Sequence, residues 1–577
     1  MTCRRQCWPA AAVTLLAACT NPAPAPAPAA QVVLHGGVVH TVNARQPRAQ
    51  ALVIRGTRLA YVGDDESALA LARDGDQVVD LDGKTVIPGL IDGHLHPVRG
   101  ALKDLYQCNF PFDATPEAVR AAVAACVAAQ PQAEWIIGGQ WASGFFEDHA
   151  LASPRRWLDA VSGDKAVVLS DDSLHNLWVN SRALELAGFN RDTPDPPGGA
   201  LLREPDGSPN GVLLETAAKA MHAARPEYLP AQIEAAVRAF QAEAHRFGLT
   251  GIKGASTYPS ESAALRAVDQ AEGLALHVAT SLRALDGRRD RPLDYDELET
   301  RRDRYASDHV DTRFVKLFLD GVPTPARTAA MLTPYLPDET YGSGFDGGPL
   351  LINPRILAAD VTELDRRGFT VKMHAAGDRS VRIALDAIAA AREANGPSGL
   401  RHELAHAGYV SEADMSRFKA LNAVADLSPI LWFPSPIMEA IYQAVGRERG
   451  QYYFPVRDYL DLDAGLLAGS DWPAVAKNAS PWLGIESLVT RRDPVSNAEP
   501  TLWAEQAITL AEALRIYTLE GARALRKAEV TGSLEPGKLA DFLVLEEDPF
   551  AVPITRVSEI RPLETWFAGR RVFQRED

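Results

Sequence analysis

The stretch VIPGLIDGHLHP, residues 86–97, contains the strongest indication of the fold. An apolar run leads through a Pro-Gly break into a second apolar segment that ends in His94 and His96. Side chains two positions apart on a strand point to the same side, so both imidazoles can face one point. A bare His-x-His is weak evidence for a metal, but the apolar strand before it strengthens the case. The stretch therefore predicts a buried strand that ends in two candidate metal ligands.

Further apolar segments alternate with helical stretches along the chain, which predicts βα units and an α/β fold with a parallel sheet or barrel. Residues 100–246 are too long for one βα connection and contain strand-like runs of their own. We therefore predict an insertion, after the first barrel strand, that covers the active-site face. The candidate barrel strands are residues 85–96, 251–255, 275–282, 314–321, 370–375, 403–407, 423–427 and 465–471.

Short β segments separated by turn residues occupy the two ends of the folded chain. They begin at Val32 and return only near the C-terminus, where residues 567–572 have the pattern of a hairpin. The sequence therefore predicts one small β domain built from residues 31–84 and 530–577, beside a barrel domain of residues 85–529.

Composition excludes several classes of protein. Of its residues, 46% are apolar and 23% are charged, which is ordinary for a globular protein. With 577 residues, the chain is too long for one small core. Its 59 Lys and Arg against 75 Asp and Glu give a net charge of −16, and no basic block is present. Nucleic acid is therefore not an expected partner, and the acidic charge says nothing about the substrate.

The N-terminus has the pattern of an export signal. Arg4 and Arg5 precede an apolar stretch, residues 8–18, that is too short to span a membrane. The sequence LLAAC, residues 15–19, resembles the bacterial lipobox, so residues 1–18 are a predicted signal peptide and Cys19 the predicted lipidation site. An ordinary secretory signal with an accidental cysteine is the alternative, and both the Sec and the twin-arginine routes stay open.

The position after the predicted lipidation site is Thr20, which by resemblance to Gram-negative lipoproteins favours the outer membrane. We expect an exported protein on the periplasmic face of that membrane, attached through its lipid alone. Residues 19–30 are rich in Pro and Ala and form a predicted extended tether. Cys108 and Cys126 remain in the folded part, and a disulfide or two buried thiols are both consistent with the sequence.

Other predicted strands also end in residues that can bind metal. Lys316 lies in an apolar run, where a lysine is costly to bury unless it is paired or neutralised. An ion pair with Asp320 is one interpretation. His374, His406 and Asp471 lie at the ends of the fifth, sixth and eighth predicted strands. Each alone has an ordinary structural explanation, but together, at successive strand ends, they predict a shared site.

These motifs resemble the amidohydrolase superfamily. Residues 86–97 resemble its first barrel strand, and residues 531–545 resemble the segment that returns from the barrel to a β-sandwich. Residues 173–184 resemble the YtcJ-like subgroup, also called amidohydrolase 3. The resemblance covers nearly everything from Val32 onward. It implies a (β/α)8 TIM-type barrel with a small β-sandwich domain built from both chain ends.

The resemblance also implies a metal site with one or two divalent ions, for which zinc is the expected metal. His94 and His96 would hold the more buried ion with Asp471. The second ion would be held by His374 and His406, and an N6-carboxylated Lys316 (carboxylysine) would bridge the two. Asp471 would also accept and pass on the catalytic proton.

The insertion adds a further candidate catalytic residue, and the sixth strand departs from the subgroup. His175 is a candidate hydrogen-bond donor to the substrate, with a structural role as the alternative. The subgroup commonly has Glu directly before the sixth-strand histidine, where this chain has Ala405. Glu403 could replace that carboxylate only with some shift of the strand, so His406 is the least secure ligand.

The implied activity is hydrolysis of a non-peptide C–N bond in a small-molecule substrate, a linear or cyclic amide of the N-acyl or N-formyl type. Hydrolysis of esters, lactones or phosphoesters by the same ligands is the alternative. A lipoprotein that only binds its ligand is a third interpretation, which all six filled ligand positions argue against.

Overall fold

The structure is a computed structural model. Cys19 and nearly all of the predicted signal peptide and tether lie outside its described residues. It describes residue 2 and residues 30–197, 199–284, 290–337, 347–431, 436–474, 476–499 and 501–576. Among the helices in these ranges, none has the length and apolar character needed to cross a bilayer.

The N-terminal part consists of seven short strands and one helix, up to the Pro-Gly break before His94. The helix α1 (Asp65–Ala70) lies between the fifth and sixth strands. The strands are β1 (Gln31–His35), β2 (Val38–His40), β3 (Arg48–Ala49), β4 (Ala51–Arg55), β5 (Arg58–Gly63), β6 (Gln77–Asp80) and β7 (Thr85–Pro88).

The first barrel strand, β8 (Leu90–Leu95), leads into helix α2 (Pro97–Tyr106), and six strands and five helices follow before the barrel resumes. These strands are β9 (Cys108–Asn109), β10 (Trp135–Trp141), β11 (Ala166–Asp171), β12 (Asn176–Val179), β13 (Gly199–Arg203) and β14 (Pro209–Glu215). The helices are α3 (Pro116–Ala129), α4 (Phe145–Asp148), α5 (Pro154–Ser162), α6 (Ser181–Leu186) and α7 (Thr216–Ala224).

Strands and helices then alternate, as predicted, up to the three C-terminal strands. The strands are β15 (Leu249–Thr257), β16 (His277–Arg283), β17 (Val310–Phe318), β18 (Thr370–Ala375), β19 (Glu403–His406), β20 (Val424–Leu427), β21 (Gly465–Ala468), β22 (Phe542–Leu545), β23 (Glu564–Phe567) and β24 (Arg570–Gln574). The helices are α8 (Pro230–Phe247), α9 (Pro259–Glu272), α10 (Tyr295–Tyr305), α11 (Pro354–Arg366), α12 (Asp378–Asn395), α13 (Glu412–Ala420), α14 (Pro436–Val445), α15 (Arg447–Gly450), α16 (Val456–Asp461), α17 (Pro481–Thr490), α18 (Leu510–Arg515) and α19 (Gly521–Ala524).

Eight strands form the predicted barrel, in the order β8-β15-β16-β17-β18-β19-β20-β21. Every adjacent pair is parallel. The first and last strands meet beyond their ends, where the Asp471 N–H donates to the His94 carbonyl at 2.7 Å and the His96 N–H donates to the Trp472 carbonyl at 2.7 Å. The prediction of an α/β barrel is confirmed, and this seam joins its two edges.

The two chain ends form a separate β domain that consists of two sheets. One sheet has the order β5-β4-β1-β6 and the other the order β24-β23-β22-β7-β2-β3. Apolar side chains from both sheets, among them Leu52, Val86 and Phe542, pack into one buried cluster. The predicted strand 85–96 is therefore two strands, because Gly89 separates β7, which pairs with β22, from β8, which pairs with β15.

The long segment after α2 forms a six-stranded sheet of its own, in the order β13-β14-β12-β11-β10-β9. Cys108 and Cys126 are joined by a disulfide within this segment. Helix α8 lies inside the predicted insertion, residues 100–246, but its apolar side chains, such as Val237 and Phe240, are buried in the main barrel core. The insertion therefore ends before α8, which belongs to the outer helix layer of the barrel.

Substitution of Gly469→Ala tests the seam. An added Cβ would overlap the backbone nitrogen and oxygen of His94, which no side-chain rotation can relieve. We expect the free energy of unfolding to fall by about 1–3 kcal/mol, measured as a lower urea midpoint. Gly144→Ala is the matched control, since its added Cβ meets no atom nearer than 3.5 Å. Equal stability of the two variants would contradict the proposed role of the seam.

Candidate metal centre

The carboxyl ends of the barrel strands surround a cavity that also receives side chains from the insertion. All seven residues that the sequence analysis singled out for metal binding or catalysis line this cavity. They are His94, His96, His175, Lys316, His374, His406 and Asp471.

Three of these residues have the spacing of ligands to one ion. His94 Nε2 and His96 Nε2 each lie 3.4 Å from the same Asp471 oxygen, Oδ1. Ligand atoms about 2.1 Å from a zinc ion in tetrahedral geometry lie roughly 3.4 Å from each other. His96 Nδ1 is buried without a hydrogen-bond partner among the described residues, so little besides this cluster holds the ring. The donor set and its spacing therefore fit a divalent ion.

Buried carboxylates orient two of the histidines. His94 Nδ1 lies 2.6 Å from Asp426 Oδ2, and His374 Nδ1 lies 3.0 Å from Asp320 Oδ1. A carboxylate at Nδ1 fixes the tautomer and leaves Nε2 as the ligand atom. Burial, and secondly the charge of a nearby lysine, holds the pKa of each histidine well below its usual value, which favours the neutral form that binds metal.

His406 has a weaker partner. Its Nδ1 lies 3.2 Å from Ser428 Oγ and 4.0 Å from Asp471 Oδ2. Glu403 does not take the place of the missing neighbour, because it lies inside the barrel and pairs with Lys253 at 2.5 Å and Lys372 at 3.1 Å. The hydroxyl of Ser428 is therefore the partner of His406 Nδ1, where the subgroup pattern predicts a carboxylate.

Lys316 is buried, with 1% exposure, and does not pair with Asp320. The interpretation of Lys316 as the ion-pair partner of Asp320 is therefore wrong. The Asp320 carboxylate is occupied by His374, by the Ser380 hydroxyl at 2.6 Å and by three backbone N–H groups. In the part of the chain that is described, Lys316 makes no ion pair. Burial, with the like charge of Lys372, lowers the pKa of Lys316 to about 7. A neutral amine is the form that can add carbon dioxide.

The insertion brings His175 to the cavity. Its ring centroid is 5.4 Å from that of His374, and its Nδ1 lies 2.9 Å from Glu215 Oε2. Burial alone would raise the pKa of Glu215, but the charge and hydrogen bond of His175 and the hydroxyl of Thr328 lower it to about 2. Glu215 is therefore an anion that fixes the ring and leaves Nε2 for another partner.

Sequence reasoning missed several residues of the site. Asp426 had a usable signal, because a carboxylate inside an apolar strand needs a partner in the same way as Lys316. Glu215 had none, since only the fold brings strand β14 next to His175. The cations Arg99, Lys219 and Arg283, which also line the cavity, come from separate elements and form no sequence motif.

Substitution of Asp426→Asn tests the carboxylate behind His94. It keeps the shape of the side chain but removes the charge that orients the ring, so we expect zinc affinity to fall by about 10–100-fold in a chelator competition assay. Asp386→Asn is the control, because Asp386 is exposed and pairs only with Arg417 among the described side chains. Unchanged zinc affinity in Asp426→Asn would contradict this role.

Comparison with known proteins shows similarity over nearly the whole chain. The N-substituted formamide deformylase of Arthrobacter pascens is 28% identical, over 93% of this chain and 97% of that protein. YtcJ of Bacillus subtilis (strain 168), named as an amidohydrolase, is 25% identical over 94% of this chain and 100% of that protein. The crystal structure of an uncharacterized metal-dependent hydrolase from Pyrococcus horikoshii OT3 has a TM-score of 0.70 at 23% identity, covering 91% of this chain and 99% of that one. The sequence profile of the amidohydrolase family matches residues 77–573, so the protein belongs to that family and is a hydrolase.

Proposed function

We propose that the protein hydrolyses a non-peptide C–N bond, in a linear or cyclic amide of the N-acyl or N-formyl type, with a divalent metal. The observation that carries this proposal is the spacing of His94, His96 and Asp471, whose ligand atoms lie within 4.8 Å of one another in a buried cavity. Similarity to a formamide deformylase over nearly the whole chain supports an amide as the substrate class.

Zinc is the metal that we propose, because imidazole and carboxylate ligands suit it and it brings no redox chemistry. His94, His96 and Asp471 would hold one ion, and His374 and His406 a second. Lys316 would bridge the two as a carbamate, which its burial without a carboxylate partner among the described residues supports. When bound, such a metal supplies a water of lowered pKa and polarises the substrate carbonyl.

The side chains of the site divide the remaining work. Asp471 lies between the histidines and faces the cavity, so it can accept a proton from the attacking water and pass it to the leaving nitrogen. Burial opposes protonation of His175, but the charge and hydrogen bond of Glu215 raise its pKa above the usual value. The protonated ring can therefore donate a hydrogen bond from Nε2 to the substrate oxygen as negative charge develops there. The products are a carboxylic acid and an amine.

A hydrolysis screen tests the proposal. Protein lacking residues 1–30 is treated with a chelator, reloaded with zinc and assayed with N-acyl, N-formyl and cyclic amides and with esters, lactones and phosphoesters. We expect chelation to abolish turnover of an amide and zinc to restore it. In Asp471→Asn, kcat/KM falls at least about 100-fold because the proton acceptor is lost.

Asp386→Asn again serves as the control and keeps full activity. Turnover confined to esters, lactones or phosphoesters would contradict the proposed substrate class. Full amidase activity in a His94→Ala, His96→Ala double variant would overturn the metal mechanism.

We also propose that the protein is exported and anchored through a lipid on Cys19 to the periplasmic face of the outer membrane. The order of charged, apolar and small residues in positions 1–19 supports this. The disulfide between Cys108 and Cys126 also supports it, because such bonds persist in oxidising compartments.

Radiolabelled palmitate tests this localisation in cells that express the full chain. We expect the label to appear in the protein and to be lost in Cys19→Ala, with the protein moving from the membrane to the soluble fraction. Cys3→Ala is the control, because Cys3 lies within the predicted signal. Equal labelling of Cys19→Ala and the wild type would rule out this anchor.

A further inference from the structure

His175 is held in place at its backbone as well as at its ring. Its N–H donates to Asp171 Oδ1 at 3.0 Å, and its carbonyl accepts the Glu215 N–H at 3.1 Å. The ring Nδ1 contacts the carboxylate of the same Glu215. Because the backbone determines where a side chain begins, the residues that make these contacts also decide where His175 Nε2 lies in the cavity.

The Asp171 carboxylate organises the segment that carries His175. It is fully buried. It accepts hydrogen bonds from the N–H groups of His175 and Asn176 at 3.0 and 3.1 Å, the Asn176 side-chain amide at 2.7 Å, and the hydroxyls of Ser173 and Ser143 at 2.6 and 3.2 Å. These bonds use the full accepting capacity of a carboxylate. Of the described residues, those that line the cavity include Ser173 and His175 but not Asp171, so Asp171 can affect the reaction only through this segment.

Two residues next to His175 have left-handed backbone conformations. Leu174, which precedes it in the chain, has a φ of 64°, and Glu215, which contacts its ring, has a φ of 51°. Leucine and glutamate rarely adopt this conformation, so each persists only because the surrounding contacts impose it. Residues of this kind cluster at binding and catalytic sites. The contacts around His175 therefore hold the backbone in a conformation that it would not adopt by itself.

A second contact fixes His175 from the side of the barrel. The other oxygen of the Glu215 carboxylate, Oε1, accepts a hydrogen bond from the Thr328 hydroxyl at 2.6 Å. Thr328 belongs to the segment that follows β17, where its Oγ accepts the Val322 N–H at 3.0 Å and its carbonyl accepts the Gly321 N–H at 2.9 Å. The Glu215 carboxylate therefore joins the insertion to a loop of the barrel.

The same barrel loop orients a candidate metal ligand. Asp320, which precedes the loop, accepts the Ala330 N–H at 2.9 Å and contacts His374 Nδ1 at 3.0 Å. The rings of His374 and His175 have centroids 5.4 Å apart. One loop therefore sets the position of both rings, through Asp320 for His374 and through Thr328 for His175.

We propose that Asp171 and Thr328 are positioning residues for His175, Asp171 through the backbone and Thr328 through the Glu215 carboxylate. Together they place Nε2 where it can reach the oxygen of a substrate at the metal centre. The inference rests on the proposed function for the reaction, but the placement of the ring can be measured without turnover.

Substitutions of matched shape remove each contact. Asp171→Asn turns one carboxylate oxygen into an NH2 group, which cannot accept hydrogen bonds, and Thr328→Val replaces the hydroxyl with a methyl group. Thr328→Ser keeps the hydroxyl and is the conservative control. Asp159→Asn is the control for a lost carboxylate, since Asp159 accepts the Ser181 N–H at 2.9 Å and its hydroxyl at 2.6 Å within the insertion.

Nuclear magnetic resonance of the zinc-loaded full chain, isotope-labelled in the histidine rings, measures the placement. The signals of His175 are assigned by their loss in His175→Gln. We expect Nδ1 of the wild type to give the signal of a hydrogen-bonded N–H, and this signal to move towards that of an exposed histidine in Asp171→Asn and Thr328→Val. Thr328→Ser and Asp159→Asn should keep the wild-type signal. Should Asp171→Asn fail to fold, Ser173→Ala removes one bond to the carboxylate and should move the signal in the same direction.

Kinetics shows whether the placement matters for the reaction. If amides are turned over, Asp171→Asn and Thr328→Val should each lower kcat by about tenfold, because a displaced donor stabilises the developing charge less well. KM and zinc affinity should change little, since this contact strengthens only as the charge develops. In the His175→Gln background neither substitution should lower kcat further, because the group that they position is gone.

The outcomes separate the two proposals. Unchanged His175 signals in both variants would overturn the inference, and so would an equal loss of kcat in the wild-type and His175→Gln backgrounds. Moved signals with an unchanged kcat would also overturn it. Signals that move as expected in a protein that hydrolyses no amide would support the positioning of His175 while the proposed function fails.

Discussion

The seam between the first and last barrel strands is the constraint on which the rest of the molecule depends. The backbone of Asp471 binds the carbonyl of His94, and the Ser470 N–H donates to the Asp92 carboxylate at 3.1 Å. Asp471 itself has a φ of 55°, a left-handed conformation that Asp tolerates better than most residues. Because these bonds join the two ends of the sheet, candidate ligands more than 370 residues apart in the sequence meet at one point. The contacts that close the barrel therefore also bring His94 and Asp471 together.

Behind the centre, the barrel interior holds charges where apolar layers are more usual. Lys372 pairs with both Asp426 and Glu403, and Lys253 pairs with Glu403 as well. Both lysines have no measurable exposure, so loss of one partner would leave an uncompensated buried charge, which costs several kcal/mol. Asp426 also holds His94, which means that the orientation of a candidate metal ligand depends on this network.

The sequence predicted the features that local patterns determine. Alternating apolar segments located all eight barrel strands, and six residues that line the cavity were predicted from the strand ends. His175, which also lines the cavity, was predicted from a family resemblance within the insertion. Features that depend on tertiary contacts were not predictable in the same way. Residues 85–88 have the same apolar character as β8, yet they pair with β22 in the β domain. Asp320 lies four positions from Lys316 in the sequence, yet its carboxylate pairs with His374. The cations Arg99, Lys219 and Arg283, which line the cavity, come from helix α2, helix α7 and strand β16, so only the folded chain brings them together.

Anomalous diffraction from crystals of the zinc-loaded protein, collected at the zinc absorption edge, tests whether the seam holds a metal ion. We predict a zinc peak bonded to His94 Nε2, His96 Nε2 and an Asp471 oxygen, at about 2.0–2.2 Å from each. A second peak beside His374 and His406, with density for a carbamate on Lys316, would complete the two-ion site. Zinc bound elsewhere on the protein, with no peak at His94, His96 and Asp471, would rule out the proposed metal centre.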